Sequence, residues 1–307
     1  MARKNKKGRS INGVVLLDKP LKISSNHALQ KIKRLFNANK AGHTGSLDPL
    51  ASGMLPICLG EATKISAFLL DADKTYHFKC KLGAQTTTAD AEGEIFNARP
   101  FEHITEKDIE DCLPEFIGDI LQVPPMYSAL KKDGQRLYDL ARQGIEVERK
   151  PRPVTIYSLK LLSYNNGEAE FETRCSKGTY VRTLAEDIGE KLGCGAYVSF
   201  LRRLSVGPYT GEMVTLEQLE ALATDVAEQG FTALDQTLLS PDSGIADWPK
   251  VILDADSAYY IKLGQAVQVS GAPTDGMLRI YAGDEFIGVG VIQDDGKVAP
   301  KRMMVSE

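Results

Sequence analysis

The side chain with the clearest chemical potential is the carboxylate of Asp48, which lies in a short stretch between glycines and a proline. Residues 42–64 read GHTGSLDPLASGMLPICLGEATK. Glycine permits positive φ and close approach of the backbone to a ligand, and proline keeps the preceding residue out of the helical region. The spacing predicts a rigid loop (residues 44–50, the Asp48 loop) that presents one acid, although an Asp-Pro pair also occurs in ordinary turns.

Ordered elements are predicted on both sides of the Asp48 loop. Residues 13–17 indicate a short buried strand, and Ser24 or Ser25 caps a helix. The apolar positions of that helix follow the 3.6-residue period, at Ala28, Ile32, Leu35 and Phe36. Its other face carries cations suited to a phosphate backbone, namely Lys31, Lys33 and Arg34. Residues 61–70 predict a second helix.

Farther along the chain, strands and helices alternate. Strict alternation over residues 74–82 predicts a half-exposed strand, with Tyr76, Phe78, Cys80 and Leu82 on one face. A helix follows Thr105, and Asn165-Asn166-Gly167 connects a hairpin of residues 154–164 and 169–175. Residues 179–192 indicate a helix, residues 196–206 a strand, and Thr215 with Gln218 caps another helix. These patterns predict an α+β fold with a mixed or antiparallel sheet.

Two segments interrupt this pattern. Residues 124–152 hold seven basic and four acidic residues between proline pairs, which predicts a mobile basic insertion, with simple disorder as the alternative. Residues 231–250 show no period and indicate a linker. Short strands punctuated by Gly and Asp follow, at residues 266–269, 277–281, 285–292 and 297–304. They predict a compact C-terminal β-barrel over residues 251–307.

Composition and charge bound the class of protein. A chain of 307 residues with 43% hydrophobic residues predicts about two soluble domains. No apolar run reaches the ~18 residues of a membrane span, and the five apolar residues after the basic N-terminus are too few for a signal peptide. We therefore expect a cytoplasmic protein. The five cysteines show no metal-binding spacing and are expected to be reduced.

The charge of the chain is strongly polarised although its net value is only −4. Residues 1–40 carry eleven Lys or Arg against one Asp, whereas residues 211–256 carry ten acidic residues against one Lys. A chain of this kind can present a basic face to nucleic acid while it stays acidic overall. The basic residues 3–9 are equally consistent with a solvated tail.

The Asp48 stretch resembles the signature of the TruB family of tRNA pseudouridine synthases, which contains a G-x-L-D-P core with a catalytic Asp. Here the core reads Gly45-Ser46-Leu47-Asp48-Pro49, with Ser46 where threonine is common. Residues 53–56 (GMLP) and 60–64 (GEATK) also match. The likeness extends over nearly the whole chain, and it is weakest across residues 95–120 and 225–250.

This resemblance implies roles for five further residues. Tyr76, in Lys74-Thr75-Tyr76, is expected to lie against the target base. Residues 176–182, SKGTYVR, are similar to the segment in which Arg182 pairs with the catalytic Asp and Tyr180 lines the base pocket. Leu201 matches a pocket leucine, and His43 the residue that fills the gap left by a flipped base. Taken singly, Tyr76 and Leu201 are typical core residues, and Arg182 is a typical surface charge. His43 alone is consistent with a hydrogen bond within its own loop.

The family likeness also implies a reaction, namely conversion of uridine 55 in the T-loop of tRNA to pseudouridine by base flipping. Asp48 would attack the ribose C1′ or remove a sugar proton. An isomerisation needs no cofactor or metal, and none is expected. We expect a monomer that binds the T-arm and acceptor arm, with a catalytic domain (1–230, insertion at 85–150), a linker (231–250) and a PUA-like barrel (251–307).

Two other functions are compatible with this scaffold. One is that of the guide-dependent relatives, which modify other RNAs within a protein complex. The insertion at residues 85–150 resembles those of the stand-alone bacterial enzymes and disfavours this reading. The other is a non-catalytic RNA-binding or RNA-folding protein, which intact Asp48, Tyr76 and Arg182 disfavour.

Overall fold

The computed structural model describes residues 8–305, apart from residues 129, 225 and 227–229. In chain order, the strands β1 to β17 are Gly13–Lys19, Ala41–His43, Ala51–Leu59, Lys74–Leu82, Gln85–Thr86, Ile95–Phe96, Gly118–Gln122, Lys131–Lys132, Gln135–Arg136, Arg152–Asn165, Glu168–Cys175, Ala196–Val206, Val214–Thr215, Lys250–Leu253, Met277–Ala282, Glu285–Ile292 and Val298–Met303. The α-helices are Ser25–Leu35, Ser66–Leu70, Glu106–Cys112, Leu137–Arg142, Val181–Lys191, Leu216–Ala223, Thr232–Asp235 and Ala255–Lys262. No helix in these residues is long and apolar enough to cross a membrane.

One mixed sheet forms the centre of the molecule. Its strand order is β13-β1-β3-β12-β4-β11-β10-β7, and β2 pairs with β3. The pairs β1–β13 and β3–β12 are parallel, whereas the neighbouring pairs β1–β3, β4–β12 and β4–β11 are antiparallel. The main core lies between this sheet and helices that include Ser25–Leu35 and Val181–Lys191. The predicted α+β class is confirmed.

Strand β3 is the longest element that the sequence analysis missed. All nine of its residues are buried, because apolar clusters cover both faces of the sheet at this point. A doubly buried strand lacks the alternation that marks a half-exposed one. Gly53 and Pro56 are also residue types that are rare inside a central strand. The predicted helix over residues 61–70 is wrong in part, since a 3₁₀ turn at Gly60–Lys64 precedes the short helix Ser66–Leu70.

The other elements predicted between residues 13 and 223 are present within a few residues. Ser24 caps the first helix through the amide of His27, and the capping boxes at Thr105 and Thr215 are both formed. The hairpin of β10 and β11 turns at Asn166 and Gly167, which both have positive φ. In the insertion, a two-stranded ladder, β8 with β9, precedes the helix Leu137–Arg142.

The C-terminal domain is a four-stranded sheet, β14-β15-β16-β17, packed by the helix Ala255–Lys262. The strand expected at residues 266–269 is wrong, because only an isolated bridge joins Val267 to Val298. The strand Lys250–Leu253 takes its place in the sheet, and it begins inside the predicted linker. That linker also contains the short helix Thr232–Asp235, so it is more ordered than its composition indicates.

The C-terminal domain packs directly on the segment that follows β3. Ile65 belongs to one buried cluster with Val289, and the Phe68 and Trp248 rings meet edge to face with centroids 5.0 Å apart. Lys64 Nζ donates to the carbonyl of Met303 over 2.7 Å. The far end of the same segment, at Leu70, reaches the cavity described next.

Candidate active site

Five of the six predicted site residues line one cavity of about 290 Å³. They are Asp48, Tyr76, Tyr180, Arg182 and Leu201. These side chains come from a loop, two strands and the start of a helix, and the sheet brings them together. The sixth, His43, lies at the end of β2, one residue before the Asp48 loop, and does not line the cavity.

The Asp48 loop is anchored to the first helix by a reciprocal pair of hydrogen bonds. Ser25 Oγ donates to the carbonyl of Leu47 over 2.9 Å and accepts from the amide of Leu47 over 2.7 Å. On the other side of the acid, the amide of Lys22 donates to the carbonyl of Pro49 over 2.8 Å. Both neighbours of Asp48 are therefore held by the same segment of chain.

Asp48 forms an ion pair with Arg182, as the family likeness implied. Arg182 Nη2 lies 2.9 Å from Asp48 Oδ2, and the arginine side chain is buried whereas 43% of the aspartate side chain is exposed. Burial raises the pKa of Asp48, and the charge of Arg182 opposes that rise. The pair can therefore keep the Asp48 carboxylate ionised and fixed in orientation at the edge of the cavity.

A second carboxylate, Asp90, holds Arg182 from the opposite side. Asp90 Oδ2 lies 3.3 Å from Arg182 Nη1, and the Asp90 side chain is only 3% exposed. Asp90 also accepts from Thr88 Oγ1 over 2.6 Å and from the amide of Glu92 over 3.1 Å. The sequence analysis missed Asp90, because one acid after a run of threonines gives no chemical signal by itself.

Arg182 completes its hydrogen bonds with two carbonyl groups. It donates to Thr88 over 3.0 Å and to Tyr127 over 2.8 Å. Tyr127 belongs to the basic insertion, so the orientation of the Arg182 guanidinium depends on where the insertion enters the catalytic part. The planar fork of arginine suits this arrangement of four acceptors better than an ammonium group does.

Part of the cavity lining is apolar and aromatic. Tyr76 and Leu201 lie on the adjacent antiparallel strands β4 and β12. Burial raises the pKa of Tyr76, so its phenol is neutral near pH 7. The backbone of Tyr180 is held by Gln122, whose amide side chain accepts from the Tyr180 N–H over 3.0 Å and donates to its carbonyl over 3.3 Å. This part of the lining is suited to a flat, uncharged ring.

His43 makes a contact within its own loop, since its Nδ1 accepts from the amide of Gly45 over 3.4 Å. Burial, together with the charge of Arg203, lowers the pKa of His43. The imidazole is therefore neutral at neutral pH, which favours stacking over pairing with phosphate. Its proximity to the Asp48 loop fits a role beside the cavity.

Three buried cations near the cavity were also missed from sequence. Lys19 Nζ donates to the carbonyls of Pro20 and Ile23, and Lys74 Nζ donates to those of Leu70 and Ala72. Burial lowers the pKa of each lysine to about 8. The third cation is Arg203, which binds carbonyls of the Asp48 loop. Lys74 shares the buried face of β4 with Tyr76, so alternation could have indicated its burial, whereas nothing in the local sequence marks Lys19 or Arg203 as buried.

Comparison with known proteins gives the class of enzyme that carries this site. Family models for the TruB pseudouridylate synthase N-terminal domain, the tRNA pseudouridylate synthase B C-terminal domain and the pseudouridine synthase II TruB C-terminal region match residues 33–181, 182–246 and 249–304. Among solved structures, a Cbf5-Nop10-Gar1 complex aligns with a TM-score of 0.72 and 27% identity, over 96% of this chain and 84% of that chain. The fold and the matching family models are those of pseudouridine synthases, which are isomerases.

Relatives with curated names cover almost the whole chain. The tRNA pseudouridine synthase B of Serratia proteamaculans (strain 568) is 55% identical over 311 residues, which are 99% of each chain. That of Yersinia pestis (strain Pestoides F) is 54% identical over 99% of this chain and 96% of its own. The chain belongs to the TruB family, whose named members form pseudouridine in tRNA.

Asp90→Asn is expected to slow single-turnover product formation about ten-fold and to shift its pH dependence. The charge of Asp90 raises the pKa of Asp48, so its removal lets Asp48 ionise at lower pH. The acid limb of the rate profile should therefore move to lower pH. Glu94→Gln, at an exposed position, is the control. An unchanged limb would show that Asp90 does not influence the ionisation of Asp48.

Proposed function

We propose that this chain converts uridine 55 in the T-loop of tRNA to pseudouridine, with Asp48 as the group that acts on the sugar. The observation that carries the proposal is the Asp48–Arg182 pair in a cavity that Tyr76, Leu201 and Tyr180 also line. A carboxylate in a cavity with a partly aromatic, apolar lining suits a uridine with its ribose toward the acid and its base toward Tyr76.

The uridine must leave the folded T-loop to reach this cavity. Extrusion of a base costs a few kcal/mol. A stacking side chain that fills the vacated place returns about 1–3 kcal/mol. We propose His43 for that role, because it is neutral and adjoins the Asp48 loop. The cavity is complete within one chain, and we propose that the enzyme acts as a monomer.

At the sugar, two routes use the same residues. Ionised Asp48 attacks C1′ and displaces uracil, or it removes a sugar proton to expel uracil. In both routes, the glycosidic bond breaks, the uracil turns and C5 bonds to C1′. Tyr76 stacks on the base and is placed to assist loss of the C5 proton. Arg182 keeps Asp48 ionised and oriented in either case.

A T-arm hairpin tests this proposal directly. With tritium at C5 of uridine, release of tritium into water reports the isomerisation. We expect release when position 55 carries the label and none when a neighbouring loop uridine carries it. Release from another position, or none from a hairpin that binds, would contradict the proposal.

The guide-dependent alternative is tested in the same assay. The structural neighbour with Nop10 and Gar1 is part of a complex. If this chain needed such partners or a guide RNA, the purified protein would bind the hairpin without releasing tritium. We expect turnover with protein and RNA alone. An RNA-folding role without catalysis would likewise leave the label in place.

We propose that the C-terminal domain, from about residue 251, binds phosphates of the acceptor arm. Lys297, Lys301 and Arg302 are exposed on or beside β17, although Lys297 pairs with Asp295 over 2.8 Å. Deletion of residues 251–307 should weaken binding of full-length tRNA more than of a T-arm hairpin. Such contacts position RNA without reading its sequence.

Because deletion would also uncover Ile65 and Phe68, a milder variant gives the sharper test. The double variant Lys301→Gln/Arg302→Gln should reduce the magnitude of the slope of log affinity against log salt concentration by about 1–2 for full-length tRNA. The corresponding slope for the T-arm hairpin should stay unchanged. Lys262→Gln, exposed on the helix Ala255–Lys262, is the control. An equal loss of affinity for the two RNAs with an unchanged salt slope would assign the domain a structural role.

A further inference from the structure

Arg203 is the largest fully buried side chain among the described residues, and the pairing of Asp48 with Arg182 leaves its charge unexplained. Only 1% of its surface is exposed, yet it lines the cavity. Its Nε donates to the carbonyl of Met54 over 2.7 Å, and its two terminal nitrogens donate to Ser46 over 3.3 Å and Gly45 over 3.1 Å. Within the described residues, no carboxylate oxygen lies within 4.0 Å of it.

The position of Arg203 follows from the sheet. On β12, it is paired with Gly53 of the parallel strand β3 and with Tyr76 of the antiparallel strand β4. A Cβ at Gly53 would lie 2.2 Å from the Arg203 carbonyl oxygen, so only glycine lets the two backbones approach this closely. The guanidinium therefore lies beneath the Asp48 loop and beside Tyr76.

Burying a charge without a counterion destabilises the fold. This destabilisation is tolerated when the charge is paired or serves a function. Three carbonyl dipoles stabilise the guanidinium but do not cancel its charge. Its field reaches other groups around the cavity, since it contributes to the lowered pKa of His43, Lys19 and Lys74. Unlike the lysines, Arg203 cannot lose its proton in a protein.

The other arginine at the cavity is neutralised. Arg182 lies between Asp48 and Asp90, so these three groups together carry one net negative charge. In either route Asp48 loses this charge as uracil departs, because it becomes an ester of C1′ or gains a proton, and the pair of Arg182 with Asp90 then offers no net positive charge to an anion in the cavity. The proposed isomerisation does form one: when the C1′–N1 bond breaks, its electron pair stays on N1 and uracil departs as an anion. The anion is spread over N1 and the two carbonyl oxygens until C5 bonds to C1′, C5 loses its proton and N1 gains one.

We propose that Arg203 stabilises this departing uracil anion electrostatically, in addition to holding the Asp48 loop. The inference rests on the proposed function, since it concerns the leaving group of that reaction. A fixed charge beside the departing base lowers the barrier without reorganising, which is the general advantage of preorganised electrostatics. It also explains why a buried cation without a carboxylate partner lies beside Tyr76.

The test compares two leaving groups, uracil and 5-fluorouracil, in otherwise identical T-arm hairpins. Fluorine withdraws electrons and stabilises the departing anion, so the reaction depends less on help from the protein. Because fluorine at C5 blocks the final proton loss, the C-linked nucleoside is measured by chromatography after digestion, in single turnover. Arg203→Gln should slow the uridine reaction about a hundred-fold and the fluorinated reaction no more than about ten-fold.

The comparison separates electrostatic from structural effects, because the ratio of the two rates does not depend on how much protein is folded. Arg203→Lys retains the charge, so its ratio of the two rates should be closer to the wild-type ratio than that of Arg203→Gln. Arg202→Gln removes the neighbouring arginine, which pairs with Asp18 on the other face, and should leave the ratio unchanged. If Arg203→Gln lowered the rates on the two hairpins by the same factor, or abolished both reactions, the role of Arg203 would be purely structural. Failure of the wild-type chain to form any C-linked nucleoside would instead refute the proposed function.

Discussion

Replacing Asp48 with asparagine is expected to lower the single-turnover rate of pseudouridine formation by at least about a thousand-fold. The neutral amide is a poor nucleophile and a poor base, whichever route the sugar follows. Affinity for tRNA should stay within a few-fold, because the side chain keeps its shape. Asp111→Asn, on an exposed helix face, is the matched control. A variant that kept a tenth of the wild-type rate would exclude Asp48 as the reacting group.

The same substitution should leave the fold intact, which makes the loss of rate interpretable. Arg182 would still pair with Asp90 and bond to the carbonyls of Thr88 and Tyr127. The anchoring bonds of the Asp48 loop use backbone atoms and not the carboxylate. Thermal unfolding of the variant should therefore be close to that of wild type, and a large decrease would point to structural damage.

Arg182→Lys is expected to slow the reaction by about a hundred-fold or more, although it conserves charge. Arg182 reaches two carboxylates and two carbonyls in different directions, and a single ammonium cannot satisfy all four. The carboxylate groups would lose their fixed geometry, and the buried carbonyls would lose donors. The measurement is the single-turnover rate at saturating enzyme.

Arg202→Lys is the matched control for this change. Arg202 also bonds to a carboxylate through two nitrogens, at 3.0 and 2.7 Å from Asp18, but on the other face of the sheet. The Arg202→Lys variant should retain nearly the full single-turnover rate. If Arg182→Lys were equally mild, the Asp48–Arg182 pair would act through charge alone, and its geometry would not matter.

The parts of the site that sequence could predict share a local cause. Gly45 permits the positive φ of the Asp48 loop, Pro49 restricts the backbone of the acid itself, and alternation over residues 74–82 puts Tyr76 on the inward face. Both features depend on only a few neighbouring residues in the sequence. The roles of Arg182, Tyr180 and Leu201 came instead from the family likeness, since each is unremarkable on its own element.

The parts that sequence could not predict depend on contacts between distant segments. Asp90 matters only because Arg182, ninety-two positions away, lies against it. Arg202 and Arg203 are adjacent, and only the pairing of β12 with β3 and β4 decides which of them is buried. Strand β3 itself was hidden because both of its faces are covered. Burial on two sides erases the periodicity on which strand prediction relies.

The C-terminal domain shows the same limit in a different form. Its turns at Gly283 and Gly296, both with positive φ, marked the strand boundaries well. The sequence analysis nevertheless misplaced one strand, because β14 joins the sheet through parallel pairing with β15. Parallel strands are joined by a long connection, so no short turn motif in the sequence indicates that they pair.

The most direct test of the account is to map pseudouridine at single-nucleotide resolution in tRNA from cells that lack this protein. The cells should be complemented either with the wild-type chain or with Asp48→Asn at equal abundance. We predict that position 55 remains uridine in the deletion strain and with the variant, and becomes pseudouridine only with the wild-type chain. Pseudouridine at position 55 in cells that contain only Asp48→Asn would contradict the account.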